Sequence, residues 1–290
     1  MNILVTGANG QLGNELRRLA PQHCSHQFFF TDVEELDITD AQAIFTFVKK
    51  ESINLVINCA AFTAVDKAEN QQELCHLLNA EAPGFLAAAM NEVDGWMLQI
   101  STDYVFDGTS HVPYRETDPT APIGVYGRTK LEGEEIVMRT CPKGVIVRTA
   151  WLYSSFGNNF VKTMIRLGRE REELGVVFDQ IGTPTYAADL ADAVLQMVEH
   201  GLVAGIYHYT NEGVTSWYDF AQEIHRQAGI TNCLVRPLHT AEYPTPAQRP
   251  HYSVLDKNKI RQTYGISIPW WGEALTRCIS ELTQFYSTSF

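Results

Sequence analysis

Short apolar segments alternate with longer amphipathic segments through the first half of the chain. The short segments are typical of buried β-strands, whereas the longer ones repeat their apolar residues at helical spacing. The pattern predicts strands at residues 2–6, 27–31, 55–61, 96–100 and 144–147. It predicts helices between them at residues 11–20, 41–50, 71–91 and 125–139. Such alternation indicates βαβ units, so we expect an α/β fold with a Rossmann-like, doubly wound parallel sheet.

The pattern loosens after about residue 150, where six prolines interrupt longer loops. Helical patterns remain at residues 159–170, 187–200, 217–228 and 270–283. We interpret residues 1–150 as the sheet domain and residues 151–290 as mainly a smaller, substrate-binding lobe. The two parts are expected to be interleaved, with at least one later segment returning to the sheet.

Composition narrows the classes of protein that this chain can represent. Hydrophobic residues make up 45% of the 290 positions, and the net charge is −12, which gives no field to attract nucleic acid or an anionic membrane. No apolar run approaches the roughly 20 residues that span a bilayer. The apolar stretch at the N-terminus ends at Thr6 with no basic residues before it, so it is expected to be a strand and not a signal peptide. Six cysteines without a CxxC spacing suggest free thiols, and we expect a cytoplasmic protein.

Three glycines stand between the first predicted strand and the first predicted helix. In the GxxGxxG of residues 7–13, Gly7 allows a tight turn, Gly10 allows the backbone to approach a diphosphate, and Gly13 allows close packing of the helix on the strand. The free N–H groups of the helix start, at Gln11 and Leu12, can then hold phosphate oxygens. The motif predicts a dinucleotide site, with a ligand-free βα turn as the alternative.

An acidic residue follows the second predicted strand at the position where such sites bind ribose. Asp32 lies 19 residues after Gly13, and its carboxylate can accept hydrogen bonds from the adenosine ribose. It would repel a 2′-phosphate, which favours NADH without deciding between NADH and NADPH. Asp37 and Ile38 are interpreted as the edge of the adenine pocket.

Two further motifs carry groups suited to carbonyl reduction. Tyr126 and Lys130 form a YxxxK, so their side chains share one face of a predicted helix. A nearby ammonium lowers the pKa of a tyrosine, and Tyr126 could then give a proton to a carbonyl oxygen as hydride arrives at the carbon. Thr102 directly follows a predicted strand and could bind the same oxygen, and Asp103 could contact a sugar hydroxyl.

Together these motifs resemble the dTDP-4-dehydrorhamnose reductases, a family of the extended short-chain dehydrogenase/reductase superfamily. The glycine loop and the YxxxK are typical of the whole superfamily. Narrower are NCAAFTAVDKAE at residues 58–69, STDYVF at 101–106, and a late Arg249-Pro250 followed by Ser253. RTAWLY at residues 148–153 and GNNF at 157–160 extend the resemblance over nearly the whole chain.

The resemblance implies a role for several residues and a substrate of the dTDP-4-keto-6-deoxy sugar class. It implies a catalytic set of Thr102, Tyr126 and Lys130, in which Lys130 also holds the nicotinamide ribose. It implies that NADPH or NADH is lined by Ala60, Ala61 and Thr63. The residues implied to bind the substrate are Val65, Asp66, Thr102, Asp103, Trp151, Asn158, Asn159 and Arg249.

The sequence allows alternatives for metal binding, for the oligomeric state and for the activity. Some relatives form dimers bridged by magnesium through glutamates, and Glu15 fits one such place, but Ala187 and Ala188 stand where another is expected. Magnesium therefore stays possible, no metal ligand is assigned, and the chain is expected to be a monomer or a homodimer. The alternative activities are a nucleotide-sugar epimerase or dehydratase and a non-catalytic regulatory subunit on the same fold.

Overall fold

The computed structural model describes the backbone of residues 1–287 and the side chains of residues 1–283. At its centre lies a six-stranded sheet in which every neighbouring pair of strands is parallel. The strands in chain order are β1 (Asn2–Thr6), β2 (Gln27–Thr31), β3 (Leu55–Asn58), β4 (Trp96–Thr102), β5 (Gly144–Thr149), β6 (Leu152–Tyr153), β7 (Glu173–Val177), β8 (Ile181–Gly182), β9 (Thr185–Tyr186), β10 (Gly205–His208), β11 (Thr215–Ser216) and β12 (Leu234–Leu238). The order across the central sheet is β10-β5-β4-β3-β1-β2. The predicted α/β fold with a parallel sheet is thereby confirmed.

Helices connect the strands and cover both faces of the sheet. In chain order they are α1 (Gln11–Leu19), α2 (Ala41–Lys50), α3 (Val65–Ala68), α4 (Gln72–His76), α5 (Ala82–Glu92), α6 (Val125–Thr140), α7 (Phe160–Glu170), α8 (Ala187–His200), α9 (Trp217–Gln227), α10 (Asn258–Tyr264) and α11 (Trp271–Ser287). No helix in the described part of the chain is both long and apolar enough to cross a membrane.

Alternate residues of the central strands enter different apolar cores, because successive side chains of a strand point to opposite faces. Ile3 and Val5 belong to the core that also contains residues of α1, α8 and α10. Leu4 belongs to the core that contains residues of α2 and α5. A third apolar core joins α7, α9 and α11 in the C-terminal part of the chain.

The strand β10 shows how the C-terminal half returns to the sheet. Gly205–His208 pairs in parallel with β5, and α8 packs beside α1. The sequence analysis expected such a return without identifying the segment. Since α8, β10 and α10 all pack on the sheet domain, the division near residue 150 stays a prediction about lobes and does not mark one cut in the chain.

Two predicted elements end or break earlier than their apolar patterns indicate. The third strand ends at Asn58 instead of residue 61, because residues 59–61 turn away to line a cleft. The helix predicted at residues 71–91 is divided by one π-helical segment, Leu77–Glu81, between α4 and α5. Within that segment the buried Asn79 side chain bonds the backbone of Phe62 instead of pointing to solvent. A hydrophobic pattern does not contain this long-range interaction.

A buried chain of polar side chains ties three central strands together near their carboxyl ends. The Thr6 hydroxyl donates to Asn58 Oδ1 at 2.5 Å, and Asn58 Nδ2 donates to Gln99 Oε1 at 2.7 Å. Asn58 Oδ1 also accepts from the Ala60 backbone N–H at 3.2 Å, where the chain leaves the strand. Asn58 therefore fixes the start of the loop that follows β3.

We expect Asn58→Leu to destabilise the fold strongly, because Thr6, Gln99 and the Ala60 N–H would each lose a buried partner. A buried unsatisfied group costs about 1–3 kcal/mol, so the free energy of unfolding should fall by at least about 2 kcal/mol. Denaturant unfolding measures this change. The exposed Asn91 at the end of α5 provides the control, and Asn91→Leu should change the value little. Equal stability of the two variants would contradict the structural role of Asn58.

Candidate active site

A cleft of about 790 Å³ runs along the carboxyl edge of the central sheet. It begins between β1 and β3, where the chain passes from one side of β1 to the other, which is where ligands bind in doubly wound folds. Most of the residues singled out from the sequence line it. These are Gly7, Gly10, Gln11, Leu12, Gly13, Asp32, Asp37, Ile38, Ala60, Ala61, Thr63, Val65, Thr102, Asp103, Tyr126, Lys130, Trp151, Asn158 and Asn159.

The glycine loop has the shape that a nucleotide diphosphate requires. Gly7 has a φ of +63°, and a Cβ there would come within 2.6 Å of the Ala60 backbone nitrogen. A Cβ at Gly13 would lie 2.5 Å from the Cα of Ala8. The first turn of α1 has no acidic residue and no side-chain cap, so its free N–H groups face the cleft without a competitor. The donor set therefore fits the diphosphate of a dinucleotide.

The carboxylate of Asp32 lies directly beside this loop. Its Oδ2 accepts from the Asn9 backbone N–H at 2.9 Å, which holds the side chain at the lip of the cleft. A carboxylate in this position can accept bonds from ribose hydroxyls. Asp37 also lines the cleft, and hydrogen bonds from Thr39 lower the pKa of its carboxyl.

The side chains of Thr102, Tyr126 and Lys130 meet at the end of β4. Thr102 is the last residue of that strand, and its Oγ1 accepts from the Tyr104 backbone N–H at 3.2 Å. Tyr126 and Lys130 lie one turn apart at the start of α6. The Tyr126 ring packs edge-to-face on Tyr104, with 5.5 Å between ring centroids. The spacing seen in the sequence thus becomes one cluster of two hydroxyls and one ammonium.

Burial dominates the proton affinities in this cluster. It raises the pKa of Tyr126 above its usual value, and the smaller opposing effect is a hydrogen bond with Thr102. The YxxxK spacing predicts that Lys130 lowers this pKa, but in the structure the net shift has the opposite sign. Burial also lowers the pKa of Lys130 to about 8, and its Nζ donates to the Ile100 carbonyl at 2.6 Å. A neutral phenol is the form that can give away a proton.

Helix α6 approaches its neighbours too closely for any side chain at two of its positions. A Cβ at Gly127 would clash with the carbonyl oxygen of Tyr104, and a Cβ at Gly133 would clash with that of Asn79. These contacts fix the helix against the segment after β4 and against the π-helical segment. The depth at which Tyr126 and Lys130 enter the cleft follows from them.

Asp103 is a buried carboxylate beside the catalytic cluster. Its Oδ1 accepts from the Thr102 hydroxyl at 3.0 Å, and Oδ2 has no hydrogen-bond partner among the residues that the structure describes. Burial raises the pKa of this carboxyl to about 6, and the hydrogen bond from Thr102 opposes that shift. An acceptor held without a partner in a cleft is suited to a ligand hydroxyl.

Two stacked indoles form the opposite wall of the cleft. Trp151 and Trp217 stack with their ring centroids 3.6 Å apart and their planes 12° from parallel. Trp151 has a φ of +48°, which is unusual for a residue with a side chain. A Cβ at Gly182 would lie 2.7 Å from the Trp151 indole, so only glycine leaves room for this ring. Trp151 is therefore a wall of the cleft and packs on the C-terminal core.

Asn159 joins the two parts of the chain at the floor of the cleft. Its Oδ1 caps α7 by accepting from the Lys162 N–H at 3.1 Å. Its Nδ2 donates to Gln11 Oε1 at 3.0 Å and to the Ser154 carbonyl at 2.7 Å. Asn158 is exposed at the rim. Contact of either residue with a ligand stays a prediction.

Asp66 and Arg249 lie outside the lining of the cleft and bind each other. Arg249 Nη2 is 2.8 Å from Asp66 Oδ2, and the Ala247 backbone N–H donates to Asp66 Oδ1 at 3.2 Å. Arg249 is also near enough to Tyr104 to lower the pKa of that phenol, although burial raises it more. The pair therefore stands next to the cleft, and the sequence alone did not connect these residues.

Some residues at the site carry no sequence signal that a motif search would recognise. Asn79 exchanges hydrogen bonds with the Phe62 backbone, at 2.8 and 3.1 Å, and reaches the Thr129 hydroxyl at 3.3 Å. It thereby connects the loop after β3 to α6. Trp217 stands 66 positions from the Trp151 on which it stacks. Only the fold brings these residues to the cleft.

The donor set near Glu15 does not fit a magnesium ion. Glu15 is buried, and its Oε2 lies 2.7 Å from Arg18 Nη2. Glu281 forms an ion pair with the same arginine, with 2.8 Å between Oε2 and Nη1. Ala187 and Ala188 begin α8 and offer no side-chain ligand. In the described part of the chain, no three or more histidine, cysteine or acidic side chains form a group that could hold a metal. None of the chemical steps proposed below therefore involves magnesium.

Comparison with known proteins points in one direction. The family model described as "RmlD substrate binding domain" matches residues 1–284. A dTDP-4-dehydrorhamnose reductase from Escherichia coli is 43% identical over 97% of this chain and 98% of its own. A crystal structure of a dTDP-4-dehydrorhamnose reductase from Clostridium acetobutylicum is 48% identical, covers 98% of this chain and 100% of its own, and superposes with a TM-score of 0.93. One from Bacillus anthracis, solved with NADP, is 41% identical over 97% and 99% of the two chains, with a TM-score of 0.92.

We expect Asp103→Asn to stabilise the protein near neutral pH. The folded-state pKa of about 6 exceeds the ordinary value of 3.8, so ionisation of this carboxyl opposes folding as the pH rises through that interval. Removing the charge should raise the free energy of unfolding at pH 7.5 by on the order of 3 kcal/mol, and the gain should vanish near pH 4. Unfolding by urea at several pH values measures both.

The half-buried Asp107 provides a control of opposite sign. Hydrogen bonds from Thr109 lower the pKa of its carboxyl, so its charged form favours folding. Asp107→Asn should therefore lose stability at pH 7.5. If the difference in the free energy of unfolding between Asp103→Asn and the parent protein does not change with pH, the raised pKa of the Asp103 carboxyl is contradicted.

Proposed function

This chain belongs to the RmlD substrate binding domain family, and from that membership we propose that it is a dTDP-4-dehydrorhamnose reductase. It reduces the C4 keto group of dTDP-4-dehydro-L-rhamnose to give dTDP-L-rhamnose, using NAD(P)H, in rhamnose biosynthesis. The observation that carries this assignment is the meeting of Thr102, Tyr126 and Lys130 at the end of β4, inside a cleft whose other end fits a dinucleotide diphosphate.

The chain's own contribution to the chemistry is to hold the carbonyl and to deliver a proton. The chemistry that the nicotinamide supplies when bound is a hydride for the sugar C4. Tyr126 donates a hydrogen bond to the carbonyl oxygen, and Thr102 donates a second one once its hydroxyl turns away from Asp103 Oδ1. Both bonds draw charge onto that oxygen. The phenol proton of Tyr126 then moves to the oxygen and completes the alcohol. Lys130 stabilises the phenolate that remains, because its ammonium lies on the same helix face.

Different parts of the cleft bind different parts of the nucleotide cofactor. Gly7, Gly10 and Gly13, with the N–H groups of Gln11 and Leu12, hold the diphosphate. Asp32 binds the adenosine ribose, and Asp37 and Ile38 border the adenine. Ala60, Ala61 and Thr63 lie between the glycine loop and the catalytic cluster, and they line the middle of the cofactor.

The sugar nucleotide occupies the cleft beyond the nicotinamide. Asp103 accepts from a sugar hydroxyl, and Trp151 covers the face of the ring. Val65 and Asp66 border the nucleotide. Asn158, Asn159 and Arg249 hold the diphosphate, for which Arg249 supplies two parallel donors once it leaves Asp66.

We infer the compartment of the protein from its thiols, and the partners that it does not attract from its charge. All six cysteines are free, which agrees with a reducing compartment, so we place the protein in the cytoplasm. The net charge of −12 gives no attraction to nucleic acid or to anionic lipid. A monomer or a homodimer is proposed.

We expect Tyr126→Phe to keep cofactor binding and to lose turnover by a factor of about 10²–10⁴, because only the transferred proton is removed. The decrease of NADPH absorbance at 340 nm with dTDP-4-dehydro-L-rhamnose measures turnover, and NADPH fluorescence measures binding. Tyr218 on α9 lies outside the cleft, and Tyr218→Phe should behave as the parent protein. Parental turnover in Tyr126→Phe would exclude this residue as the proton donor.

We expect Arg249→Ala to weaken binding of the sugar nucleotide with little change in kcat. A hydrogen bond to a charged group contributes about 1.5–3 kcal/mol, so the KM for the sugar nucleotide should rise by about 10- to 100-fold. The KM for NADPH should stay the same. Arg236 forms an exposed ion pair with Glu173 on β7, so Arg236→Ala provides the matched control. A loss confined to kcat would contradict the assignment of Arg249 to the diphosphate.

A further inference from the structure

A buried carboxylate lies on the catalytic face of α6, one turn beyond Lys130. Glu134 follows Lys130 by four residues and Tyr126 by eight, so the three side chains share one side of the helix. Only 2% of the Glu134 surface is exposed. The sequence motif stops at Lys130, and no role has yet been assigned to the carboxylate.

The partners of Glu134 hold its carboxylate in one position. The Arg148 guanidinium from β5 donates from Nη2 at 2.6 Å and from Nε at 2.9 Å to the two carboxylate oxygens. The Ser101 hydroxyl from β4 donates to Oε1. Since Ser101 immediately precedes Thr102, the carboxylate is tied to the strand end that carries the catalytic threonine.

Lys130 is surrounded by few groups that could balance its charge. Its ammonium donates to the Ile100 carbonyl, which is a neutral acceptor. The titratable groups that act on it by charge are Glu134 on its own helix, Cys75 on α4 and Cys59 after β3. Burial raises the pKa of both thiols, so they are neutral at physiological pH. The neighbouring phenol of Tyr126 is neutral as well. Of these groups, Glu134 is the one that carries a charge, in its ion pair with Arg148.

Two further titratable side chains lie around Glu134, namely Arg148 and His208. The Arg148 guanidinium packs over the ring of Phe106, 5.1 Å from its centre, and reaches His208 on β10 at 3.5 Å. His208 is buried next to this cation, and the pKa of its imidazole is lowered to about 3, so it adds no positive charge. Arg148 is therefore the positive charge that is paired with Glu134.

We propose that Glu134 is a positioning residue that keeps Lys130 cationic inside the cleft, with Arg148 and Ser101 holding the carboxylate in place. This role rests on the proposed reduction, in which the ammonium must stabilise the phenolate of Tyr126. A buried lysine without a counter-charge deprotonates at lower pH, because desolvation penalises its charged form. The carboxylate thus sets the upper limit of the pH range in which the enzyme works.

The pH dependence of kcat tests this role in Glu134→Gln. Burial holds the pKa of Lys130 near 8 with the carboxylate present, so loss of the carboxylate should move the alkaline limb of the profile to lower pH. We expect its midpoint to fall by at least about one pH unit, which is a tenfold loss above that midpoint. Glu135 is exposed on the same helix, and Glu135→Gln should leave the profile unchanged. An unshifted alkaline limb in Glu134→Gln would overturn the proposal.

Two further variants separate the charge from the packing. Glu134→Gln leaves Arg148 buried without its partner, which destabilises the fold. The double variant Glu134→Gln with Arg148→Met removes both charges, and it should retain the shifted limb. Glu134→Asp keeps the charge and should keep the parental limb even if kcat falls. A parental limb in the double variant would show that Glu134 only pairs with Arg148, and would refute the proposal.

A titration that does not involve the sugar distinguishes failure of this role from failure of the proposed reduction. Lysine labelled with ¹³C at Cε reports the protonation of Lys130 by NMR, and Lys130→Arg assigns its signal. In the protein with NADP⁺ bound, we expect the Lys130 midpoint to be lower in Glu134→Gln than in Glu135→Gln. Equal midpoints would overturn the role of Glu134 whether or not the protein reduces the sugar.

Discussion

The docking of α6 on the end of β4 is the constraint on which the site depends. Gly127 lies against the carbonyl of Tyr104 and Gly133 against that of Asn79, and neither position has room for a Cβ. This close approach brings Tyr126 and Lys130 beside Thr102 and buries Lys130 and Thr102 almost completely. Burial then raises the pKa of Tyr126 and lowers the pKa of Lys130. The reactivity of the site is thus a consequence of how deeply one helix is seated.

The C-terminal half of the chain completes the site by long-range contacts and not by a motif. The stack of Trp151 on Trp217 closes one wall, and it needs a glycine at position 182 and a left-handed backbone at Trp151. Asn159 connects this half to Gln11 at the start of the first helix. The two ligands are therefore expected to lie where the halves meet, each touching residues of both.

Local pattern and motif were sufficient for the sheet domain and for most of the cleft. The strands β1 and β2 and the helices α2 and α8 have the bounds that their apolar patterns predict, because each buries a regular face. Two-residue strands, the π-helical segment and the ion pair of Asp66 with Arg249 depend on partners far along the chain, and no local pattern encodes them. The sign of the pKa shift at Tyr126 was wrong for a related reason. The spacing of a YxxxK shows that a lysine is near but not how completely the pair is buried.

We propose that this chain transfers hydride from a reduced nicotinamide to C4 of a keto-sugar while one of its own groups supplies the proton. The most direct measurement is the reaction of the purified protein with dTDP-4-dehydro-L-rhamnose and NADPH deuterated at the transferring position of the nicotinamide, followed by NMR of the sugar. We expect one equivalent of NADPH to be consumed for each sugar converted, and we expect the product, dTDP-L-rhamnose, to carry deuterium at C4. A product without deuterium at C4, or sugar conversion without net consumption of NADPH, would contradict it.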